Sequence, residues 1–202
     1  ITGSFRAPGP LWSHWDAGEV DLQVHGENVL LHRKAGVKVR ADLDVNAKGP
    51  LADFAVTGEV RLLDSKMLAR IPLLELNRTG GRSTATGITI PGVDLGPQVG
   101  AHLDVRVLTA EPFAIRNNVV DGAFEVELAV RGSLQQPLLE GTISGPEARL
   151  ILPGIRLRAN TLLVEFPRGN SQFPQLTVNA RGRRHGYDVQ VIVRGRYDRP
   201  EV

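Results

Sequence analysis

The sequence predicts an all-β protein, and three observations carry that prediction. Apolar and polar residues alternate along most of the chain, a period of two that is typical of strands with one dry and one wet face. The 202 residues include 22 glycines and 13 prolines, which leave little room for long helices. Hydrophobic residues make up 42% and charged residues 23%, so the chain can bury a core and is not a disordered tail.

The predicted strands follow the alternating segments in chain order. The clearest is 37–47, where six apolar residues are separated by five polar ones without exception. The same pattern recurs in shorter segments, at 20–24, 103–107, 124–130, 162–166, 176–180 and 187–193. Because side chains alternate across a strand, each segment predicts one apolar face.

Turn-forming residues separate these segments. Glycine, proline and asparagine supply the positive or fixed φ angles that tight connections need. We therefore predict hairpin connections at 26–28, 48–50, 117–118, 132–133, 153–154, 167–170 and 185–186.

Two segments depart from this pattern. Residues 65–76 begin with a capping-type Ser65 and include Met67, Leu68 and Ile71, but Pro72 interrupts them, which predicts at most two helical turns. Residues 78–100 are rich in Gly, Thr and Pro and divide the chain into strand sets at 1–77 and 101–202.

The sequence also contains an internal repeat. When Gly49, Gly132 and Gly195 are placed in register, the residues six, four and two positions before each glycine are all apolar. Gly58 and Gly141 follow the first two glycines by nine positions, and each begins another alternating segment. A repeated strand–turn–strand unit predicts a sheet that grows by stacking hairpins rather than by folding around one centre.

Residues 117–202 carry an ordered set of motifs. After a polar-alternating strand come Gly-x-Leu at 132–134, Pro137, Leu-x-Gly-x-Ile at 139–143, a Pro-Gly turn, Phe166, Pro174 and Val-Arg-Gly-x-x-x-x-Pro at 193–200. In this order the segment resembles the C-terminal domain of the TamB family, which is related to the AsmA-like group. Gly49-Pro50-Leu51 and Gly58-Glu59-Val60 are similar to an earlier copy, so the resemblance extends over a single domain, 1–202.

The resemblance implies a fold and a place in the cell. The fold is a long curled β-sheet that forms an open, U-shaped trough (a β-taco) with an apolar interior. The place is the periplasm of a diderm bacterium, with an inner-membrane anchor and any targeting signal outside this segment. The implied partner is an outer-membrane barrel of the TamA type.

The resemblance further implies a non-enzymatic hydrophobic conduit. Its cargo would be phospholipid acyl chains moving between the two membranes, or strands of outer-membrane proteins during assembly and secretion. The residues that we expect to line the groove are Leu43, Val45, Val126, Leu128, Val130, Val189, Val191 and Val193. The alternative is a structural β-solenoid or β-sandwich interaction domain of a cell-envelope protein, in which the same residues form an ordinary packed core.

The residue types argue against catalysis and cofactors. The chain has no cysteine, which excludes disulfide scaffolds and thiolate metal sites, and its five histidines show no metal-ligand spacing. The pairs Asp42/Asp44 and Glu125/Glu127 fall on the predicted wet faces, which indicates solvated charge rather than a glycosidase-type pair. Near the N-terminus, Trp12, His14, Trp15 and Asp16 suit a surface aromatic anchor better than a small site, and Gly80-Gly81-Arg82-Ser83 lacks the lysine of a P-loop.

Basic residues cluster near the C-terminus. Arg181, Arg183, Arg184 and His185 precede a predicted turn, and Arg194, Arg196 and Arg199 follow it, which suggests one basic edge at the hairpin tips. The net charge is only +2 and aromatic residues are 5%, so we expect no nucleic-acid binding. Such an edge suits a solvated tip, anionic lipid headgroups or the acidic rim of a partner.

Overall fold

The computed structural model describes residues 2–6, 18–34, 36–68, 100–169 and 172–201. Their secondary structure consists of strands without any helix, which confirms the all-β prediction. The thirteen strands are β1 (Thr2–Arg6), β2 (Glu19–Lys34), β3 (Val37–Pro50), β4 (Phe54–Met67), β5 (Ala101–Thr109), β6 (Phe113–Arg116), β7 (Val120–Ser133), β8 (Pro137–Ser144), β9 (Arg149–Leu152), β10 (Ile155–Phe166), β11 (Gln175–Arg184), β12 (Tyr187–Arg196) and β13 (Arg199–Glu201).

All thirteen strands belong to one open sheet. Their order is β1-β2-β3-β4-β5-β7-β8-β10-β11-β12-β13. The short strands β6 and β9 continue the positions of β5 and β8, because β6 lies between β4 and β7 and β9 lies between β7 and β10. Among the described strands β1 and β13 are the two edges, so the sheet does not close into a barrel.

The two predicted strand sets join through a parallel pair. β4 and β5 run parallel from Phe54 opposite Ala101 to Leu62 opposite Thr109, whereas nearly all other neighbours are antiparallel. A parallel pair needs a connection that returns the chain to the end of the sheet where the first strand began. That requirement explains why a long segment without the hairpin pattern stands between residues 67 and 101; residues 69–99 lie outside the described part.

The internal repeat corresponds to hairpins of equal register. Val45 pairs with Gly58 in the β3–β4 hairpin, and Leu128 pairs with Gly141 in the β7–β8 hairpin. The same glycine-to-proline pairing ends two hairpins, Gly132 with Pro137 and Gly195 with Pro200. All five glycines of the repeat have φ between +88° and +145°, where side chains are strained, so the repeat reflects a backbone requirement.

Strand irregularities lie on one line across the sheet, which we call the crease. The crease consists of residues 27–28 in β2, 64–65 in β4, 110–112 between β5 and β6, 145–148 between β8 and β9, and Asn160 in β10. Bulges bend a strand and increase its twist. Aligned over successive strands, they fold the sheet into two walls.

Small side chains occupy the inside of this bend. The residues there are at most 2% exposed: Ala41, Ser65, Ala148, Ala159 and Ala180. Larger side chains at these positions would collide as the two walls approach. The one polar member is satisfied, because the Ser65 hydroxyl accepts a hydrogen bond from the Arg40 N–H at 3.0 Å and donates one to the Arg40 carbonyl at 3.1 Å.

The buried core lies along the C-terminal part of the crease. It contains Phe124, Ala148, Leu157, Ala159, Leu162, Val178 and Ala180. Leu157 is only 1% exposed although it belongs to a single-layered sheet. A side chain on one face of a flat sheet would stay open to water, so the sheet curls over its own apolar face and forms the expected trough.

Two sequence predictions were wrong. The 26–28 segment is not a connection, because β2 continues through it as a bulge in which Asn28 has φ 52° and donates its N–H to Asp42 Oδ1 at 2.8 Å. The predicted helix at 65–76 is wrong at its start, since residues 65–67 complete β4 and Ser65 bonds to β3 instead of capping a helix. Residues 69–76 lie outside the described part.

Candidate functional site

The strand register joins the alternating apolar residues into continuous rows. Leu43, Val60, Val107 and Leu128 are successive partners across β3, β4, β5 and β7. The adjacent row passes through Val45, Gly58, Val105 and Val130 in the same strands. We call the face that carries these rows the inner face, because it is the face that curls over the core.

All eight residues predicted to line a groove lie on the inner face. They are Leu43, Val45, Val126, Leu128, Val130, Val189, Val191 and Val193. Each of them is half-buried, neither sealed from water nor fully open to it. The register therefore brings them onto one surface, and their contact with cargo stays a prediction.

The inner face has two different sections. Val189, Val191 and Val193 pack against the buried core, so they contribute to the fold itself. Leu43 and Val45, in β3, are not among the residues that pack against that core. The open section of the inner face thus consists of the rows through Leu43 and Val45 in β3, β4, β5 and β7, which that core does not include.

The turns of the sheet lie along two rims. The first rim carries Gly36 and the turns at 117–119, 153–154 and 185–186. The second carries the turns at 51–53, 134–136 and 197–198. The wall between the crease and the first rim is called the first wall, and the wall ending at the second rim the second wall.

The outer face is polar, as the alternation predicts. Asp42 pairs with Arg61, and Asp44 pairs with Glu59 in the next row. Arg131 bridges two neighbouring strands, with its guanidinium 2.9 Å from Glu140 and 3.3 Å from Asp104. Glu125 and Glu127 are exposed beside a shallow depression at the crease. These carboxylates take part in solvated charge rows.

Two pKa shifts have the same origin. A hydrogen bond to Glu59, reinforced by its charge, raises the pKa of Arg61, and a hydrogen bond from Lys38, reinforced by its charge, lowers the pKa of Asp64. Both groups are fully exposed, so the shifts describe surface ion pairs. Within the described ranges, no group of three or more His, Asp or Glu residues is arranged to hold a metal ion.

The predicted basic edge is wrong. Arg183 and Arg184 end β11 at the first rim, whereas Arg196 and Arg199 lie at the second rim, because β12 crosses the sheet between them. Arg196 binds Asp198 with two hydrogen bonds of 2.9 and 2.8 Å and lies 4.1 Å from the centre of the Phe173 ring. It therefore fixes the β12–β13 turn.

The structure instead aligns arginines from different strands. Arg149 is opposite Arg158, and Arg158 is opposite Arg181, on the outer face of the first wall. We call these three residues the arginine ladder. Alternation marked each as outward-facing, but only the register shows that they are neighbours.

Other expectations fall outside the described residues. Trp12, His14, Trp15 and Asp16 lie in the 7–17 gap, and the segment 80–83 lies in the 69–99 gap. In the part that the structure does describe, no helix has the length and hydrophobicity required to cross a bilayer.

Comparisons with known proteins complete this picture. A search of curated proteins finds no match. The family model of the TamB C-terminal domain matches residues 3–202, nearly the entire chain. This match confirms the resemblance deduced from the ordered motifs of the second strand set. The chain belongs to the TamB C-terminal domain family.

Proposed function

We propose that the open section of the inner face is a passive conduit for phospholipid acyl chains. Family membership supports a role in a TamB-type module of envelope protein or lipid transport. The observation that carries the lipid proposal is a continuous, half-buried apolar surface in a single-layered sheet. Among the described strands, the extensive contacts are those between hydrogen-bonded neighbours.

The energetics favour an apolar occupant. Each square ångström of apolar surface left in water costs roughly 25 cal/mol. The Val and Leu rows of the open section are only half-buried by the protein itself, so an apolar occupant that covers them lowers this cost. Acyl chains match this surface because they are flexible, unbranched and without hydrogen-bonding groups.

The chemistry of the lining suits movement rather than tight binding. Valine and leucine offer dispersion contacts without directional hydrogen bonds, so a bound chain keeps similar contacts as it slides along a row. The repeated hairpins of β3–β4 and β7–β8 place equivalent side chains along the trough axis. Aromatic residues, which are bulkier, are only 5% of the chain.

The proposal extends to a cellular setting. In the TamB family the protein spans the periplasm and is anchored in the inner membrane, and it works with an outer-membrane partner of the TamA type. We propose that this chain acts there in the same way. The open inner face would then keep acyl chains out of water between the two membranes.

A charge placed within the groove tests the conduit. Leu128→Arg introduces a cation into the lining, and Glu127→Arg introduces the same side chain at the neighbouring position on the outer face. After expression in a diderm bacterium and purification without detergent, phospholipid per protein is measured by mass spectrometry. We expect Leu128→Arg to lose most of the bound lipid and Glu127→Arg to retain it.

The outcomes separate the candidate roles. Equal lipid content in wild type and both variants would overturn the conduit. Co-purification of outer-membrane protein segments in place of lipid, lost in Leu128→Arg, would assign the groove to protein cargo instead. Circular dichroism of each variant establishes that loss of lipid is not loss of fold.

A further inference from the structure

Within the described residues, the two sides of the crease differ in net charge. The first wall contains twelve Lys and Arg and five Asp and Glu, which gives a net charge of +7. Nine Lys and Arg stand against fourteen Asp and Glu in the second wall, a balance of −5. The first wall comprises residues 30–34, 36–40, 63–68, 111–124, 146–159 and 180–191; the second comprises 2–6, 18–29, 41–62, 100–110, 125–145, 160–169, 172–179 and 192–201.

The arginine ladder concentrates the charge of the first wall. Its three residues are directly opposite one another on adjacent strands, about 5 Å apart, and all are exposed. Arg158 lies 3.6 Å from Glu147, but within the described residues no carboxylate is within ion-pair distance of Arg149 or Arg181. Asp121 is the other cross-strand neighbour of Arg149, so an opposite charge stands at one end of the ladder, whereas Arg158 and Arg181 face each other as like charges, an arrangement that destabilises a sheet.

The nearby rim carries exposed apolar and aromatic groups on the other side of the sheet. Tyr187 is 77% exposed and pairs with Arg184 at the end of the β11–β12 hairpin. The Arg184 guanidinium lies over Gly154 in the adjacent turn, where an added Cβ would be 2.8 Å from it. Leu152, 36% exposed, precedes that turn. By strand alternation Tyr187 shares the face of Val189, and Leu152 shares the face of Leu150, so neither belongs to the face of the arginine ladder.

We propose that the outer face of the first wall, through the arginine ladder, binds the surface of an anionic phospholipid bilayer. A bilayer surface presents many phosphates in one plane and matches a broad face on which several arginines stand side by side. The arginines donate hydrogen bonds to phosphate oxygens. This contact is independent of whether the inner face carries lipid.

A second copy of the chain fits the ladder less well. The second wall is negative overall, but its carboxylates are spread over many strands, and four of them already pair with its own arginines, as in Glu59 with Arg61 and Asp198 with Arg196. Glu140 is shared by Arg131 and Arg168. Such a surface offers dispersed charge instead of a concentrated anionic partner.

Vesicle binding tests the proposal. The chain is sedimented with vesicles of phosphatidylcholine alone and with vesicles that also contain phosphatidylglycerol, in low and high salt. We expect binding to the anionic vesicles only, weakened by salt. The double variant Arg158→Gln/Arg181→Gln should bind about thirtyfold more weakly, because each basic residue near the membrane surface raises the vesicle affinity about five- to sixfold.

A matched control removes the same charge elsewhere. Arg106→Gln/Arg194→Gln changes two exposed arginines of the second wall and should bind within about twofold of wild type. Equal loss in both double variants, or equal binding to neutral vesicles, would overturn the proposal. So would ladder-dependent self-association without vesicles. Leu128→Arg should keep vesicle binding, so a failed conduit and a failed membrane contact are distinguishable.

Discussion

Gly141 offers a sharp test of the repeated hairpin register. Its φ is +124°, and a Cβ added there would overlap the Glu127 carbonyl oxygen and lie 3.0 Å from the Leu128 Cα. Both atoms belong to the backbone of the adjacent strand β7 and cannot move away as a flexible side chain would. Gly141→Ala therefore has to separate β7 from β8 or change the backbone of β8.

The cost follows from two contributions. A non-glycine residue forced into this region of φ costs about 1–3 kcal/mol. Moving the strands apart disturbs about two ladder hydrogen bonds, each worth about 1 kcal/mol. We therefore expect Gly141→Ala to lower the free energy of unfolding by about 3–5 kcal/mol, which at this chain length lowers Tm by about 10–15 °C.

Gly169 provides the matched control. Its φ of +74° is also positive, but an added Cβ would meet no atom within 4 Å. Gly169→Ala should cost only the backbone strain of a non-glycine residue at positive φ. This strain lowers the free energy of unfolding by about 1 kcal/mol and Tm by about 3 °C. Thermal unfolding followed by circular dichroism compares the two variants. If they destabilise the protein equally, close packing of β8 on β7 does not explain the glycine.

Three further changes address the core, a turn and the acid range. Phe124→Ala should cost about 3–5 kcal/mol in chemical denaturation, because a ring that is 3% exposed leaves a cavity; a cost below about 1 kcal/mol would contradict its place in the core. His185→Asn should stabilise the protein by a few tenths of a kcal/mol, since His185 (φ 51°) and Gly186 (φ 87°) form a turn that prefers Asn-Gly; destabilisation would argue against that turn. Because the Lys38 pair lowers the pKa of Asp64, its contribution is present above the ordinary carboxyl pKa and is lost as pH falls through the lowered value. Asp64→Asn should flatten the acid side of the stability curve slightly, and an unchanged curve would refute a role for this pair.

The side-chain period made much of the inner face predictable. In the segment 37–47, alternation alone assigned Leu43 and Val45 to the apolar face, and the register agrees. The same holds for Val126, Leu128 and Val130 in β7. Because side chains alternate across a strand, burial of one face fixes which residues point inward, so the local sequence is enough to predict them.

The crease was beyond local reasoning. At residues 26–28 the sequence has the composition of a turn, yet Asn28 adopts positive φ within a strand because Asp42 of the neighbouring strand accepts its N–H. At Ser65 a capping residue instead satisfies the backbone of β3. In both places the deciding partner comes from another strand, at a distance in sequence that no local pattern specifies.

The charged surface illustrates the same limit. Arg181 and Arg194 are close in sequence and lie on opposite sides of the crease, whereas Arg149 and Arg181 are far apart in sequence and belong to one ladder. Their grouping depends on which strands are neighbours. The net charge of +2 does not reveal that the two walls carry net charges of opposite sign.

Photo-crosslinking in cells tests the conduit most directly. A crosslinking amino acid is placed at Val45, Val105 or Leu128 on the inner face, and at Asp44, Asp104 or Glu127, the outward-facing neighbours. We expect phospholipid adducts at the three inner positions and none at the three outer positions. Adducts that are absent from the inner positions, or equally abundant on both faces, would contradict the account.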